Sequence, residues 1–345
     1  MRRSERNTGA VTAKDIGNAL GLSQPTVSRI LTGAAGHRVA EDTRVRVMQA
    51  AAQMGYRPNA VARSLRRRRT NIVGFYTGYG YVDARNAFLA SIIGSIQQAA
   101  SRRRIDVLLH SVSEGTATDD IYAELMDGRV DGLFLHTHAG DPLAERLAGS
   151  DALPVVAIAD ALPGIPSLVC DDEAGTRALV AHLWERGHRR IGYVYPRTRF
   201  ASVERRMGAF LAEMRERGTE SEAPLLAIDI EETRPALEKI RAMAHPPTAV
   251  CCWNDLTAYD LIRECGDAGI RVPGGLAVAG FDGLLDPRLT PRRLLTVAAN
   301  WNVIAEQAME QLFARIESRF CTEEEREPVP LVTTLPVHLV EGDTA

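Results

Sequence analysis

The sequence predicts a small all-α helix-turn-helix head followed by an α/β core of two doubly wound parallel-sheet subdomains. Two observations carry that expectation. Residues 11–31, VTAKDIGNALGLSQPTVSRIL, hold the cap and turn signals of two short helices at close spacing. From residue 72 onward, short apolar runs alternate with helix-length segments, the pattern of parallel strands joined by crossover helices. Charge divides along the same line. Residues 1–70 hold 14 Lys and Arg, all Arg but Lys14, against Glu5, Asp15, Glu41 and Asp42, while the remaining 275 residues hold 27 against 40. A basic head on an acidic body points to a polyanionic partner for the head alone.

In the head, Thr12 can cap a first helix with Asp15 three residues on, a capping-box pair. Ile16, Ala19 and Leu20 share its inner face, Gly21 permits the turn and Leu22 plugs between the helices. Ser23 caps a second helix with Pro25 in its first turn, where a missing N–H costs little. Val27, Ile30 and Leu31 then face inward, and Gln24, Pro25, Ser28 and Arg29 face out. A third helix, about 41–54, places Val45, Met48 and Ala52 on one side, and Gly55 ends it. Four consecutive arginines, Arg66 to Arg69, follow the segment Tyr56 to Leu65.

In the core, strands are expected at 72–76, 105–110, 132–135, 155–159, 191–195, 249–252 and 276–280, with helices at 88–100, 174–186, 203–217 and 255–268. These are too many strands for one comfortable sheet, hence two subdomains. The segment from Tyr76 to Asn86 is a long loop at the carboxyl end of a strand, where α/β receptors bind ligands. Its Gly78-Tyr79-Gly80-Tyr81-Val82-Asp83 is no dinucleotide fingerprint, because Asp83 stands where the third glycine is required.

Several classes are disfavoured. The first ten residues are polar, unlike a secretory signal, and no run of 18 apolar residues exists, so no membrane span is expected. Cys170, Cys251, Cys252, Cys265 and Cys321 show no metal-ligand spacing and read as buried free thiols of a cytoplasmic protein. His136 and His138 are the one close histidine pair, and no nucleophile–base arrangement stands out. Neither catalysis nor a cofactor is expected.

The segments VTAKDIGNALGLSQPTVSRIL, TRVRVMQAAAQMGYRPNAVARSL, DGLFLH, HLWERGHRRIGYV, CCWNDLTAYDLI and GIRVPGGLAVAGFD together resemble the LacI/GalR family of bacterial transcription regulators, across almost the whole chain. The resemblance implies a headpiece over 1–57, a hinge helix over 58–70, and a periplasmic-binding-protein-like core over 71–345. Within the core it implies one subdomain of about 71–169 with 299–328, and another of about 170–298 with 329–345. It also implies that the second helix enters the major groove of a near-palindromic double-stranded DNA operator. Gln24 then suits adenine, Pro25 a thymine methyl and Arg29 a guanine. Thr12, Ser23, Thr26, Ser28, Tyr56 and Asn59 offer groups to phosphates, which fix register without reading sequence; for Ser23 and Thr26 plain capping is the alternative. Leu65, with Ala62 beside it, matches the leucine that wedges into the minor groove, although 58–69 also reads as a charged linker. The chain departs from the family in the loop 32–38, which is longer than usual, and at Ala40, where a capping Ser is usual.

For a small-molecule effector, sugar-like by resemblance, Arg206, Asn254 and Asp282 form a guanidinium–amide–carboxylate set able to bracket hydroxyls. Arg205 rivals Arg206 by register, and Asn254 and Asp282 also read as a helix cap and a turn residue. Trp301 can stack on a sugar face. Phe88 is a pocket wall or core packing, and Tyr76 offers a ring at the strand end. Trp253 and Trp184 read as packing. The family's Asp after the fourth strand is replaced by Ala159, with Asp160 following, which leaves that contact open. The expected function is a homodimeric DNA-binding regulator, first of all a repressor released by an inducer. The same architecture also serves activation or corepression. A solute-binding receptor would need export and has no use for the head.

Overall fold

The computed structural model describes residues 11–32, 39–57, 64, 69–79, 86–110, 115–197, 200–219, 223–229, 233–284, 292–319 and 330–345. Asn59, Ala62, Leu65 and Cys321 lie outside them, as does most of the loop 32–38. The chain forms two compact units, Met1–Thr70 and Asn71–Ala345.

The first unit contains α1 (Ala13–Leu20), α2 (Gln24–Leu31) and α3 (Glu41–Gln53). Thr12 and Asp15 form a complete capping box, with Thr12 Oγ1 donating to Asp15 Oδ2 at 2.7 Å and the Thr12 N–H donating to the same oxygen at 2.9 Å. The turn is tight because α1 touches it at Gly17, where a Cβ would lie 2.6 Å from the Leu22 carbonyl oxygen. Ile16, Val27, Ile30, Val47 and Ala51 make the small core, with Leu20, Leu22, Leu31 and Tyr56 packed around it. Two expectations on helix faces need correction. Ala19 is exposed, and the Val45–Met48–Ala52 side of α3 faces solvent, while Val47 and Ala51 face the core. Apolar residues ring most of α3, so periodicity alone does not choose its buried side. Ala40 gives that helix no side-chain cap.

The second unit holds two six-stranded sheets. In chain order its elements are β1 (Ile72–Thr77), α4 (Ala87–Arg102), β2 (Asp106–Leu109), α5 (Thr118–Leu125), β3 (Gly132–His136), α6 (Pro142–Ala148), β4 (Val155–Ile158) and β5 (Ser167–Cys170), then α7 (Asp172–Glu185), β6 (Ile191–Pro196), α8 (Ala201–Glu216), β7 (Leu225–Ile228), α9 (Arg234–Ala242), β8 (Ala249–Cys252), α10 (Asp255–Asp267) and β9 (Ala277–Asp282), and finally β10 (Leu295–Ala299), α11 (Trp301–Ser318), β11 (Val332–Leu335) and β12 (Val337–Val340). The first sheet runs β11-β5-β4-β3-β1-β2, all parallel; the second runs β12-β10-β9-β8-β6-β7, with only β12 antiparallel. Central strands such as β3, β4, β8 and β9 are buried along their whole length, as expected of parallel sheets covered by helices on both faces.

The chain therefore crosses between sheets three times: between Cys170 and Asp172, between Ala299 and Trp301, and at Pro336. The last crossing corrects the boundary expected at 329. Residues 332–335 pair with Ser167–Cys170 as the outer strand of the first sheet, so only the terminal strand β12 returns to the second. Pairing β5 on its outer side hides an edge whose backbone groups would otherwise be unpaired.

Helix α7 lies against the second sheet through Gly175, where a Cβ would meet Val297 at 2.7 Å and the Phe281 ring at 2.9 Å. Both neighbours are fixed in the core, so overpacking outweighs the better helix propensity of alanine. Gly175→Ala should destabilise the core by about 1–3 kcal/mol. Calorimetric melting checks this, and an unchanged midpoint would mean that the sheet face yields.

Candidate functional site

The side chains with functional chemistry gather at the carboxyl ends of both sheets. Apart from Arg206, the residues lining a cleft of about 300 Å3 sit at or just past a strand end, or at the cap or in the first turn of a following helix, and the cleft is bounded by both halves of the core. The half with the first sheet supplies Tyr79, Asn86, Phe88, His136, Ala159 and Asp160; the half with the second supplies Phe200, Ser202, Arg206, Trp253, Asn254 and Asp282; Trp301 opens α11 at a crossing.

Asp172, the first residue of α7, is the centre of the polar wall. Its carboxylate is wholly buried and accepts from two arginines. Arg206 Nε donates to Oδ1 at 2.7 Å, and Arg205 Nε donates to Oδ2 at 2.8 Å, with Arg205 Nη2 ion-paired to the same oxygen at 2.7 Å. Arg206 also donates from Nη1 to the Trp253 carbonyl at 2.5 Å and from Nη2 to Asp282 Oδ1 at 3.1 Å, and it lies 3.6 Å over the Phe281 ring. A buried guanidinium held on so many sides is fixed in both position and plane. Arg205, the rival by register, does not line the cleft; its Nη2 reaches Asp160 Oδ1 at 3.6 Å.

Asp160 comes from the half with the first sheet, yet it accepts the Ser202 N–H of α8 at 2.8 Å. Helix α8 has no side-chain cap of its own, so a carboxylate from across the cleft fills its positive end. This carboxylate, which the resemblance left open, thus occupies the cleft wall. Ala159 and Asp282, at the ends of β4 and β9, both have positive φ, 79° and 113°, conformations that non-glycine residues adopt at a cost of about 1–3 kcal/mol each.

Asn254 caps α10, its Oδ1 accepting from Thr257 N at 2.9 Å, and it also lines the cleft, so its amide NH2 is the group left for a ligand. Asp282 spends Oδ1 on Arg206 and leaves Oδ2 as a cleft acceptor. Phe88 and Trp301 form an edge-to-face pair 5.0 Å apart on the cleft wall. Trp253, expected to be packing only, instead stacks on Phe200 at the cleft with Nε1 unpartnered. Trp184, by contrast, packs under Arg189 and Arg217, away from the cleft. Tyr76 does not reach the cleft. It alternates with Phe75 along β1, and its ring packs among Ile121, Leu133 and Leu143 and near His110. Tyr79, three residues on, takes the place expected of it and contacts both His136 and Phe200 edge-on.

Among the described residues, three buried donors in the cleft have no hydrogen-bond partner: Tyr79 Oη, Trp253 Nε1 and Trp301 Nε1. Burial pushes the Tyr79 hydroxyl up, keeping it a donor, and lowers His136 to about 4, keeping that ring neutral. Burial also raises the Asp282 carboxyl, against the opposing pull of Arg206. No group of three or more metal-ligating side chains exists among the described residues, and no helix among them is long and apolar enough to cross a membrane.

In the headpiece, Gln24, Pro25 and Arg29 are exposed on one side of α2. Arg29 Nε rests on the Pro25 carbonyl at 3.3 Å. Ser23 Oγ accepts from Thr26 N at 3.3 Å and pairs with the Thr26 hydroxyl at 2.8 Å, so the capping role expected as an alternative is present. Thr12 serves its own helix in the same way, and Ser28 and Tyr56 are partly buried.

Residues 12–59 match the family described as bacterial regulatory proteins, lacI family, and residues 180–345 match the periplasmic binding protein-like domain. The HTH-type transcriptional regulator GalR of Escherichia coli (strain K12) is 27% identical over 331 residues, covering 94% of this chain and 92% of its own length. The solved Lac repressor dimer bound to operator and the anti-inducer ONPF superposes with a TM-score of 0.78 at 22% identity, over 97% of this chain and 99% of that one. The complex of the transcriptional regulator CelR with cellobiose superposes with a TM-score of 0.68 at 22% identity, over 97% and 100%. Both structural likenesses are of fold.

Beneath the cleft, Asp255 accepts from Thr296 Oγ1 at 2.5 Å and from Leu284 N at 3.1 Å. Burial nevertheless pushes its carboxyl up to about 6, against those hydrogen bonds. The folded chain therefore binds this proton more tightly than the unfolded chain, and stability falls as pH rises from about 4 to about 6. Over that window wild type should lose on the order of 2 kcal/mol relative to Asp255→Asn. Urea melts at stepped pH measure the difference, and parallel pH curves for the two chains would contradict it.

Proposed function

Because the chain belongs to the LacI family of bacterial transcription regulators, we infer that it is a cytoplasmic, non-catalytic, sequence-specific DNA-binding regulator, a homodimeric repressor whose operator affinity is set by a small sugar-like effector. The observation that carries the effector half is the cleft, where three unpartnered buried donors and an aromatic wall meet the edges of Arg206, Asn254 and Asp282. A buried donor left unpaired costs about 1–3 kcal/mol. A ligand with several hydroxyl oxygens removes that cost at Tyr79, Trp253 and Trp301 together, while its apolar face lies on the rings. Cellobiose bound to a protein of the same fold supports a carbohydrate.

The DNA half rests on α2, whose outer side offers an amide, an apolar ring and a guanidinium in Gln24, Pro25 and Arg29. Arg29 need only leave the Pro25 carbonyl to reach a guanine edge, and Ser23, Thr26 and Ser28 stand near it for phosphates. Two headpieces related by a dimer twofold then read the two half-sites of a near-palindrome. Residues 58–70, with Asn59, Ala62 and Leu65, are the hinge of this scheme. Effector binding changes the angle between the two halves of the core and so the spacing of the hinges, a coupling of roughly 1–3 kcal/mol.

Two measurements test this. With an operator selected from random duplexes, Arg29→Ala should lose about 1–3 kcal/mol of preference for the selected site while nonspecific binding keeps its salt dependence. Unchanged preference would remove Arg29 from base reading. In thermal-shift screening of neutral sugars, cellobiose included, at least one should raise the melting temperature of wild type and release the operator, and Trp253→Ala should abolish both responses. A sugar that acts equally on Trp253→Ala would place the effector elsewhere.

A further inference from the structure

We propose that the cleft admits only uncharged ligands and rejects phosphorylated or carboxylated ones. The inference rests on the cleft being an effector site and narrows the chemical class it takes. Two arginines beside a cleft would ordinarily suggest an anion, but here both are already neutralised. Arg206 faces Asp172 and Asp282, and Arg205 faces Asp172 and Asp160. A further positive element at the wall, the amino-terminal end of α8, holds Asp160 through the Ser202 N–H. The remaining helices that open on the cleft, α4, α10 and α11, are capped by Asn86, Asn254 and Asn300.

With the carboxyls ionised, the charge among the described cleft residues is two guanidinium groups against three buried carboxylates, Asp160, Asp172 and Asp282, with Asp255 behind them; with Asp282, which burial pushes up to about 7, protonated, it is two against two, still without an excess cation. His136 contributes no charge, being neutral above a pH of about 4. An entering phosphate or carboxylate would lose its hydration, find no unpaired cation among the described cleft-lining residues, and lie close to Asp282 and Asp160. Among the cleft-lining residues the donors that await a partner are neutral: the Tyr79 hydroxyl, two indole N–H groups and the Asn254 amide; Arg205 Nη2, also without a hydrogen-bond acceptor, does not line the cleft and stays ion-paired to Asp172. Neutral donors suit hydroxyl and ether oxygens. Asp282 Oδ2 accepts from a ligand hydroxyl and repels an anion.

The test uses the full-length chain and two sets of probes. Matched neutral and charged sugars, such as glucose with glucose 6-phosphate and with gluconate, are titrated calorimetrically. A neutral sugar should bind at least about a hundredfold more tightly than its charged counterpart, because like-charge juxtaposition in a desolvated site is severe. Inorganic phosphate is then titrated at constant ionic strength, with the fluorescence of Trp253 and Trp301 reporting on the cleft. Wild type should give no saturable response, and Asp160→Asn, which frees the α8 terminus and one face of Arg205, should gain one. A charged sugar binding within tenfold of its neutral partner overturns the proposal. So does a saturable phosphate response of wild type that Arg206→Lys removes. If no sugar of either kind binds, the carbohydrate reading falls, and the phosphate titration still decides the question of charge.

Discussion

The core is organised around one buried carboxylate. Asp172 takes an arginine on each oxygen, and through those arginines it is joined to Asp282 on one side and Asp160 on the other. Each of these groups alone would be costly to bury, by several kcal/mol after relaxation. They are tolerable only as a set, so the geometry of β9, α7 and α8 must keep them in register. Helix α7 has to start where it does, with Asp171 capping it and Asp172 pointing inward. Helix α8 has to present Arg205 and Arg206 to one partner from adjacent positions, which a single helical step permits because both side chains converge on the two oxygens of one carboxylate.

Strain and satisfaction are traded at the same place. Ala159 and Asp282 hold positive φ at the ends of two strands, one in each sheet, and three donors remain unpaired between them. A protein selected for stability alone would replace Ala159 with glycine and turn the indole N–H groups toward carbonyls. Their retention at one cleft, and among cleft-lining aromatic rings, is what distinguishes a binding surface from a core.

Much of this order is legible in the sequence. The strands β1, β3, β4, β6, β8 and β9 announce themselves as apolar runs, and Asn or Asp stands at the start of α4, α6, α7, α10 and α11, where its side chain satisfies a free N–H. The short strands β5, β7, β10, β11 and β12 are not legible, because four or five residues carry too little pattern and their pairing is decided by distant neighbours. In the site, Arg206, Asn254, Asp282, Phe88 and Trp301 could be placed because each follows a recognisable strand or motif. Asp172 could not. It lies 33 and 34 residues from the arginines it binds, and beside Asp171 it looks like a second capping acid. Tyr76 and Tyr79 were indistinguishable as tyrosines near a strand end; only the alternation of the strand sends the first into the core. Phe200 and Trp253 gain their role from each other, across 53 residues of chain.

The arrangement also limits how a switch in this core can work. Separating a buried, hydrogen-bonded ion pair costs about 3–5 kcal/mol, more than the 1–3 kcal/mol that typically couples an effector to a distant site. A change in the angle between the two halves must therefore leave the strongest pairs intact. Asp172, Arg205, Arg206 and Asp282 all belong to the half built on the second sheet and can move as one body. Asp160 belongs to the other half, and its polar contacts cross the cleft: one hydrogen bond to Ser202 N and one long approach to Arg205. Both are of a strength that ligand contacts can offset. The edge-on meeting of Tyr79 with Phe200, the first on the half with the first sheet and the second on its counterpart, is of similar size. The polar contacts that cross the cleft are thus weak beside a strong and rigid cluster, so a change of angle that broke them would leave the charges of the cluster buried.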